Sequence, residues 1–254
     1  MTTVISIHSF RGGTGKSNTS SNIAGQLAAA GNRVAVVDTD IQSPGIHVLF
    51  GFSDDLDNTL NDYLWGQIPI AQAAHEVTDR VSGSTPVAEG GALYLIPSSM
   101  KSGDIARVLR EGYDVGTLND GFRDLARDLQ LDYLLIDTHP GLNEETLLSI
   151  TISDVLLLLM RPDRQDFQGT AVTVDVARKL GVPELFLIIN KVPSNIDSVD
   201  LREQMTQIYA AEVAAILPLA EEVVQNASEG LFSLTSPDHP WSAQIREAAA
   251  RVSQ

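Results

Sequence analysis

The sequence predicts one α/β domain over residues 1–254, with a doubly wound, mostly parallel sheet and helices on both faces. Near-continuous apolar stretches alternate with helical patterns along the chain, which is typical of parallel strands buried on both sides. The spacing leaves room for a crossover helix each time, and 254 residues suffice for one such domain. The predicted strands are Val4–Ile7, Val34–Val37, Leu93–Ile96, Tyr133–Ile136, Val155–Met160, Leu185–Ile189 and Val213–Leu217.

Helical patterns lie between most of these strands. Thr78–Gly91, which reads TDRVSGSTPVAEGG, is the clearest loop. Trp241–Gln254 is expected to form a helix that packs its small apolar residues on the domain. The other predicted helices are Lys16–Ala30, Ile105–Leu109, Asp120–Leu129, Glu144–Ile150, Gly169–Lys179 and Val199–Tyr209.

Composition excludes several kinds of site. The chain has no cysteine, so disulfides, thiolate metal sites and cysteine nucleophiles are excluded. A formal net charge of −16, from 33 acidic residues against 17 lysines and arginines, argues against binding to DNA or anionic lipid. No stretch approaches the ~20 apolar residues that span a bilayer, and no basic segment precedes an apolar one at Met1. We therefore expect a soluble cytoplasmic protein.

The strongest motif follows the first predicted strand and precedes a helical pattern. Residues 10–17 read Phe-Arg-Gly-Gly-Thr-Gly-Lys-Ser, which departs from the general P-loop pattern at Phe10, where that pattern has glycine. The glycines permit a sharp turn whose N–H groups surround a phosphate, and the helix start adds its positive end. Lys16 can reach the β- and γ-phosphates, and the Ser17 hydroxyl can ligate Mg²⁺. The alternative is a glycine-rich turn with an exposed lysine.

Arg11 followed by Gly-Gly-Thr-Gly-Lys-Ser resembles the deviant Walker A motif of the ParA/MinD family of P-loop ATPases. The resemblance implies that Arg11 reaches across an ATP-sandwich dimer to the partner's nucleotide, a role that lysine normally has in the family. Arginine keeps the charge and suits phosphate oxygens. The alternative is that Arg11 only neutralises nearby acidic surface. In the family, phosphate and base are bound at positions matching Gly12, Gly13, Thr14, Gly15, Lys16, Ser17, Asn18, Asn190 and Pro218.

Two acidic segments that end predicted strands also resemble the family. Asp38 and Asp40, in the sequence VVDTDIQSPG, match its switch I. The resemblance implies that Asp40 positions the attacking water and that Asp38 braces the loop near the Mg²⁺ shell, although Asp and Ser at a strand end are also ordinary turn residues. Asp137, in LLIDTHPG, matches Walker B and is expected to hold Mg²⁺ opposite Ser17. His139 is taken as a switch-loop residue without a chemical role.

The nucleotide base is expected to be adenine. Asn190 ends a strand as Asn-Lys-Val-Pro, and GTPases have an acid where this chain has Pro193. Asn190 therefore suits an adenine edge, as in the family, and Ile216-Leu217-Pro218-Leu219 resembles the family's second adenine-side loop. Both signals are also ordinary turn chemistry.

Within the family, the absence of cysteine excludes iron–sulfur carriers and iron-protein reductases. The last stretch has only two cations, Arg246 and Arg251, and fits a packed helix better than a membrane anchor. After Asn190 only Lys191 and Arg202 add to these two, so nonspecific DNA binding, which the family uses, is disfavoured.

The resemblance implies an ATPase switch that uses ATP and Mg²⁺, forms a homodimer and positions a cellular cargo through an unidentified partner protein that stimulates hydrolysis. Two alternatives stay open. One is a catalytically silent ATP-binding dimer scaffold. The other is an ATP-dependent kinase or ligase for a small molecule on the same fold.

Overall fold

The computed structural model describes residues 1–53, 56–81, 83, 85–226 and 228–254. Over these ranges the strands form one eight-stranded sheet in the order β3-β4-β2-β5-β1-β6-β7-β8. The strands are β1 (Thr3–His8), β2 (Arg33–Asp38), β3 (His75–Glu76), β4 (Ala92–Ile96), β5 (Tyr133–Asp137), β6 (Val155–Met160), β7 (Glu184–Val192) and β8 (Glu212–Pro218).

Helices follow most of the strands, and two 3₁₀ turns, Ile46–Phe50 and Ile70–Ala73, lie between β2 and β3. The α-helices are α1 (Lys16–Ala29), α2 (Leu60–Leu64), α3 (Thr78–Val81), α4 (Ser102–Glu111), α5 (Val115–Asp128), α6 (Glu144–Thr151), α7 (Arg164–Leu180), α8 (Ser198–Tyr209), α9 (Glu221–Gln225), α10 (Phe232–Thr235) and α11 (Pro240–Val252).

The sheet is parallel except at one edge, where β3 pairs antiparallel with β4. The seven predicted strands are confirmed, and so is the doubly wound α/β fold class. The order places β2, β5 and β1 next to one another at the centre of the sheet. Because parallel neighbours end at the same edge, the loops that follow these three strands meet there.

Alternating side chains bury both faces of the sheet. On β2, Val34 and Val36 belong to a core built with helices α1, α10 and α11. Ala35 and Val37 point the other way, into a core that includes α4 and α5. A third cluster covers the far half of that second face with α6, α7 and α8. Strands buried on both faces explain why the sequence shows continuous apolar runs.

Helix α11 and the segment Thr78–Gly91 can be compared with what the sequence predicts for them. Helix α11 buries Trp241 and Ile245, at 3% and 0% exposed, so the prediction that this segment packs on the domain is confirmed. The predicted loop Thr78–Gly91 was wrong at its start, where Thr78–Val81 is helical. The reason is packing, since Val81 is only 3% exposed and joins the core beside Val77. Ser82 and Ser84 lie outside the described residues.

Candidate functional site

The loop between β1 and α1 has the backbone that its glycines predict. Gly13 and Gly15 adopt the left-handed region, with φ of 75° and 96°. A Cβ atom on Gly15 would lie 2.5 Å from Asn190 Nδ2, so this position also needs glycine for space. Helix α1 begins at Lys16 without a side-chain cap and without an acidic residue in its first turn. Its first N–H groups are therefore available to an anion.

Asp38 and Asp137 lie directly opposite each other, at the ends of the paired strands β2 and β5. Each is 1% exposed. Burial raises the pKa of Asp38 well above its usual value, and the nearby Asp137 raises it further. Asp38 accepts backbone N–H groups from Asp40 at 3.0 Å and from Gly45 at 3.3 Å. These two hydrogen bonds hold the loop after β2, and the role of Asp38 near the Mg²⁺ shell stays a prediction.

Asp137, at the end of β5, contacts the first turns of α1. Its carboxylate accepts a hydrogen bond from the Ser20 hydroxyl at 2.8 Å. Burial raises the pKa of Asp137, while the positive charge of Lys16 and hydrogen bonds from Ser17 and Ser20 act in the opposite direction. The structure thus brings Lys16, Ser17 and Asp137 together. Sequence reasoning missed Ser20, whose only signal is its place one helical turn after Lys16.

A cavity of about 350 Å³ opens above this cluster and collects most of the predicted residues. Asp40 borders it with 18% of its side chain exposed. Burial raises the pKa of Asp40, and the neighbouring His139 and Lys16 partly oppose that rise. The cavity is lined by Gly12, Gly13, Gly15, Lys16, Ser17, Asn18, Asp40, Ser43, His139 and Pro140.

The oxygen donors around Ser17 fit a Mg²⁺ ion. The Ser17 hydroxyl and the Asp137 carboxylate are hard oxygen ligands, and the buried Asp38 opposite adds negative charge that a cation would balance. Among the described residues, no cluster of three or more His, Cys, Asp or Glu side chains is arranged to hold a metal. A nucleotide site does not need one, since Mg²⁺ there takes one or two protein ligands together with phosphates and water. Metal binding by Ser17, Asp137 and Asp38 stays a prediction.

A second cavity, of about 230 Å³, lies beside the loop on the side of β7 and β8. It brings Asn18, Asn190 and Pro218 together, as the sequence predicts, and adds apolar side chains. Asn190 donates from Nδ2 to the Thr14 carbonyl at 2.8 Å, which ties the end of β7 to the phosphate loop. A small, mainly apolar pocket with two side-chain amides, those of Asn18 and Asn190, suits a planar base. The apolar lining residues are Leu219, Ala220, Val223, Val224 and Trp241.

Lys191 is a site residue that sequence reasoning counted only as a surface cation. It adopts a left-handed backbone with φ of 58°, and its Nζ donates to the Gly13 carbonyl at 2.8 Å. Together with Asn190 it clamps two consecutive carbonyl groups of the phosphate loop, those of Gly13 and Thr14. The sequence indicates this contact only through the neighbouring Asn190. Lys191 reaches the phosphate loop because of its positive φ, which the sequence does not reveal.

Arg11 turns toward α7 within its own chain. Its guanidinium hydrogen-bonds the Gln165 side chain and lies 3.9 Å from Asp166 Oδ1. Asp166 is 2% exposed and already has a close partner, because Arg161 Nε contacts it at 3.0 Å. Phe10 packs against Gly169 of the same helix, where a Cβ atom would not fit. In a single chain Arg11 therefore contacts the start of helix α7, and its role across a dimer stays a prediction.

Comparison with known proteins agrees with this geometry. The family model described as the CobQ/CobB/MinD/ParA nucleotide binding domain matches residues 5–234. An uncharacterised ATP-binding protein of Methanocaldococcus jannaschii is 27% identical over 253 residues, covering 99% of this chain and 88% of the relative. The septum site-determining protein MinD of Bacillus subtilis is 24% identical over 255 residues, covering 98% and 88%.

An iron-sulfur cluster carrier protein of Pseudomonas fragi is 26% identical over 264 residues, covering 97% of this chain and 83% of the relative. This chain has no cysteine to offer such a cluster. Among solved structures, MinD of Pyrococcus horikoshii complexed with Mg-ADP superposes with a TM-score of 0.82 at 22% identity, covering 100% of this chain and 97% of that one. With a family model matching nearly the whole described fold, the chain belongs to the CobQ/CobB/MinD/ParA nucleotide-binding domain family and is a P-loop protein of the ParA/MinD type.

Proposed function

We propose that this protein is an ATPase switch that dimerises with Mg·ATP and separates after hydrolysis. The observation that carries the proposal is the shared cavity in which Lys16, Ser17 and Asp40 face one another beside the base pocket. Such a cavity offers a phosphate cradle, a metal site and a carboxylate beside the position of the γ-phosphate. Phosphoryl transfer relies mainly on this kind of positioning and charge stabilisation.

Each part of the nucleotide has a matching group in the chain. The N–H groups of the phosphate loop and Lys16 suit the phosphates, and Ser17 with Asp137 would hold Mg²⁺. Mg²⁺, when bound, supplies positive charge to the phosphate oxygens. Asn190 and the apolar pocket suit adenine. Asp40 is assigned to holding water, because it borders the same cavity while remaining partly open to solvent.

Dimerisation is proposed to release Arg11 from Gln165 and Asp166 toward the partner's nucleotide. The cost of that release is small, since the Arg11 side chain is 41% exposed and its separation from Asp166 is 3.9 Å. Asp166 is itself 2% exposed, but it stays paired with Arg161 at 3.0 Å when Arg11 leaves. A bidentate contact with phosphate oxygens is stronger than the hydrogen bond to the neutral Gln165 side chain, because both of its partners are charged. The cis contact therefore suits a resting state of the same residue.

A partner protein rather than DNA is the proposed target of the switch, and the cargo that it positions is unidentified. Two of the four cations after Asn190 are paired with carboxylates within the chain: Arg202 pairs with Glu247, and Arg251 pairs with Glu212. Cations already paired with carboxylates release few counterions on binding a phosphate backbone. The net charge of −16 points the same way. Partitioning of a cargo is therefore proposed to run through protein contacts.

Membrane attachment is not part of the proposal. Across the described ranges, no helix combines the length and apolar character needed to cross a bilayer. The apolar face of α11 is already used, since Trp241, Ile245 and Ala248 are buried against the core. A helix whose apolar side is packed in this way has no free face for lipid.

A silent dimer scaffold is the rival reading, and the cis contacts of Arg11 are the observation that favours it. Steady-state ATP hydrolysis by the wild type and by Asp40→Ala separates the two. A switch loses most of its turnover in Asp40→Ala and accumulates as an ATP-bound dimer. A scaffold shows negligible turnover in both proteins, which would contradict the proposal.

A small-molecule kinase or ligase on the same fold would need a substrate beside the γ-phosphate, where the dimer places the partner subunit. The phosphate cavity has room for one, because it is open to solvent on the side of Asp40 and His139. A chain that stays monomeric in saturating Mg·ATP, yet binds nucleotide tightly, would favour this reading.

A further inference from the structure

His139 lies beside Asp40 in the loop that follows β5, and both side chains border the phosphate cavity. Its Nε2 is 3.7 Å from Asp40 Oδ1. That separation exceeds the ordinary N–H···O distance of about 2.7–3.2 Å, so the two groups share no direct hydrogen bond. Polar atoms at this distance are well placed to be bridged by one water molecule.

The tautomer of His139 follows from its other ring nitrogen. Nδ1 is 2.7 Å from the Pro140 carbonyl oxygen, and a carbonyl can only accept. Nδ1 therefore carries a hydrogen, and in the neutral imidazole with this tautomer Nε2 has the lone pair. The Asp40 carboxylate also accepts when ionised. The two acceptors lie 3.7 Å apart, so a water molecule placed beside the pair, on the cavity side, can donate one hydrogen to each.

The backbone around His139 is held firmly enough to keep this arrangement. The N–H groups of Thr138 and Gly141, on either side, donate to the carbonyls of Ile7 and Ser9 at 3.2 Å each. The Thr146 hydroxyl donates to the His139 carbonyl at 3.3 Å. The loop is therefore tied both to the strand that leads into the phosphate loop and to helix α6, which preorganises the imidazole.

We propose that Asp40 Oδ1 and His139 Nε2 together hold the attacking water, each accepting one of its hydrogens. The inference rests on the proposed ATPase function and deepens it. Lys16 and Ser17 line the same cavity, so a water held by Asp40 and His139 lies in the space that the phosphates would enter. Water that is oriented by two fixed acceptors loses less entropy at the moment of attack.

No proton is transferred to Asp40 or to His139 in the proposed reaction. The water oxygen forms a bond to the γ-phosphorus while the bond from that phosphorus to the β–γ bridging oxygen breaks. The bridging oxygen keeps the electron pair and leaves as part of ADP. Both water hydrogens stay with the product as dihydrogen phosphate. His139 thus positions the water and does not remove a proton from it, which suits a transition state with little bond formation to the nucleophile.

The test compares His139→Ala, His139→Gln and the control His75→Ala, whose histidine lies on the edge strand β3. We expect His139→Ala to lower kcat by about 10²-fold, the size of effect seen when one preorganised hydrogen-bonding group is removed. We expect His139→Gln to recover part of the loss through its amide oxygen. Affinity for a nonhydrolysable ATP analogue should change by less than about twofold, since a single hydrogen bond to water contributes little to ground-state binding. Affinity for Mg·ADP·AlF₄⁻ should fall in parallel with kcat.

A second measurement does not depend on turnover. The ¹⁵N spectrum of the His139 ring in the nucleotide-free protein should show hydrogen on Nδ1 and a lone pair on Nε2. Hydrogen on Nε2, whether or not Nδ1 also carries one, would overturn the inference. So would His139→Ala hydrolysing ATP at the wild-type rate, and in that case the proposed ATPase function would stand. A wild type that binds Mg·ATP but never hydrolyses it would refute the proposed function itself.

Discussion

Replacement of His8 by asparagine should change how the free energy of unfolding depends on pH. His8 is fully buried at the end of β1, and burial lowers its pKa to about 3, helped by the charge of Lys16. Nδ1 lies 2.8 Å from the Thr138 hydroxyl, which itself donates to the Ile7 carbonyl, so Nδ1 carries the hydrogen. Nε2 is buried without a hydrogen-bond partner, and its protonation would place a charge in the core.

The direction and size of this pH effect follow from the difference between the pKa of His8 in the unfolded and in the folded chain. An unfolded chain takes up a proton on His8 near pH 6.5, whereas the folded chain does so only near pH 3. The contribution of His8 to the free energy of unfolding is therefore fully present above pH 6.5. It is lost as the pH falls below 6.5, by about 1.4 kcal/mol per pH unit. Between pH 6.5 and pH 5.0 the loss from this one group is about 2 kcal/mol, from the pKa of about 3.

Urea unfolding of the wild type and of His8→Asn, from pH 5.0 to pH 8.5, measures the effect. At pH 7.5 the variant should be less stable by about 1–3 kcal/mol, because a smaller side chain leaves a cavity. That deficit should shrink by about 2 kcal/mol at pH 5.0 and stay constant above pH 7.5. Parallel stability curves over the whole range would refute the reasoning.

Two further predictions concern the phosphate site. Gly15→Ala should abolish ATP binding in a calorimetric titration, because its φ of 96° and the Asn190 amide at 2.5 Å leave no place for a Cβ atom. The control Gly103→Ala, in helix α4 with nothing within 4 Å of the added Cβ atom, should bind as the wild type does, and equal affinity of the two variants would contradict the account. Asp38→Asn should stabilise the nucleotide-free protein by about 1 kcal/mol at pH 8 and by less at pH 5, because burial and the opposing Asp137 raise the pKa of Asp38. Thermal unfolding measures this difference. A variant that is less stable than the wild type at pH 8 would contradict the prediction.

The apolar periodicity was enough to predict the central sheet but not its edge. Seven strands appear within a few residues of their predicted bounds, because each is a buried run that local sequence reveals. The two-residue strand β3 was missed, since His75–Glu76 is too short to show a pattern. Helix α7 begins at Arg164 rather than Gly169, because its first turn is polar and is fixed by the Asp163 side-chain cap.

The candidate site was predictable where topology alone gathers residues. Asp38 and Asp137 end neighbouring strands, and the phosphate loop follows the strand beside β5, so their meeting needed only the parallel order. The contact between His139 and Asp40 could not be foreseen, because it joins two irregular loops. The clamp of Lys191 on Gly13 was equally hidden, since it depends on a positive φ at a non-glycine residue.

The central claim is that ATP joins two chains through Arg11, and molar mass in solution tests it most directly. Light scattering would be measured with and without Mg·ATP for the wild type and Arg11→Ala. The matched control is Arg123→Ala, which removes the same charge from an exposed site on α5. We predict that Mg·ATP doubles the mass of the wild type and of Arg123→Ala but leaves Arg11→Ala monomeric. A wild-type mass that does not respond to Mg·ATP would contradict the switch, and a dimer of Arg11→Ala as stable as the wild type's would contradict the role of Arg11.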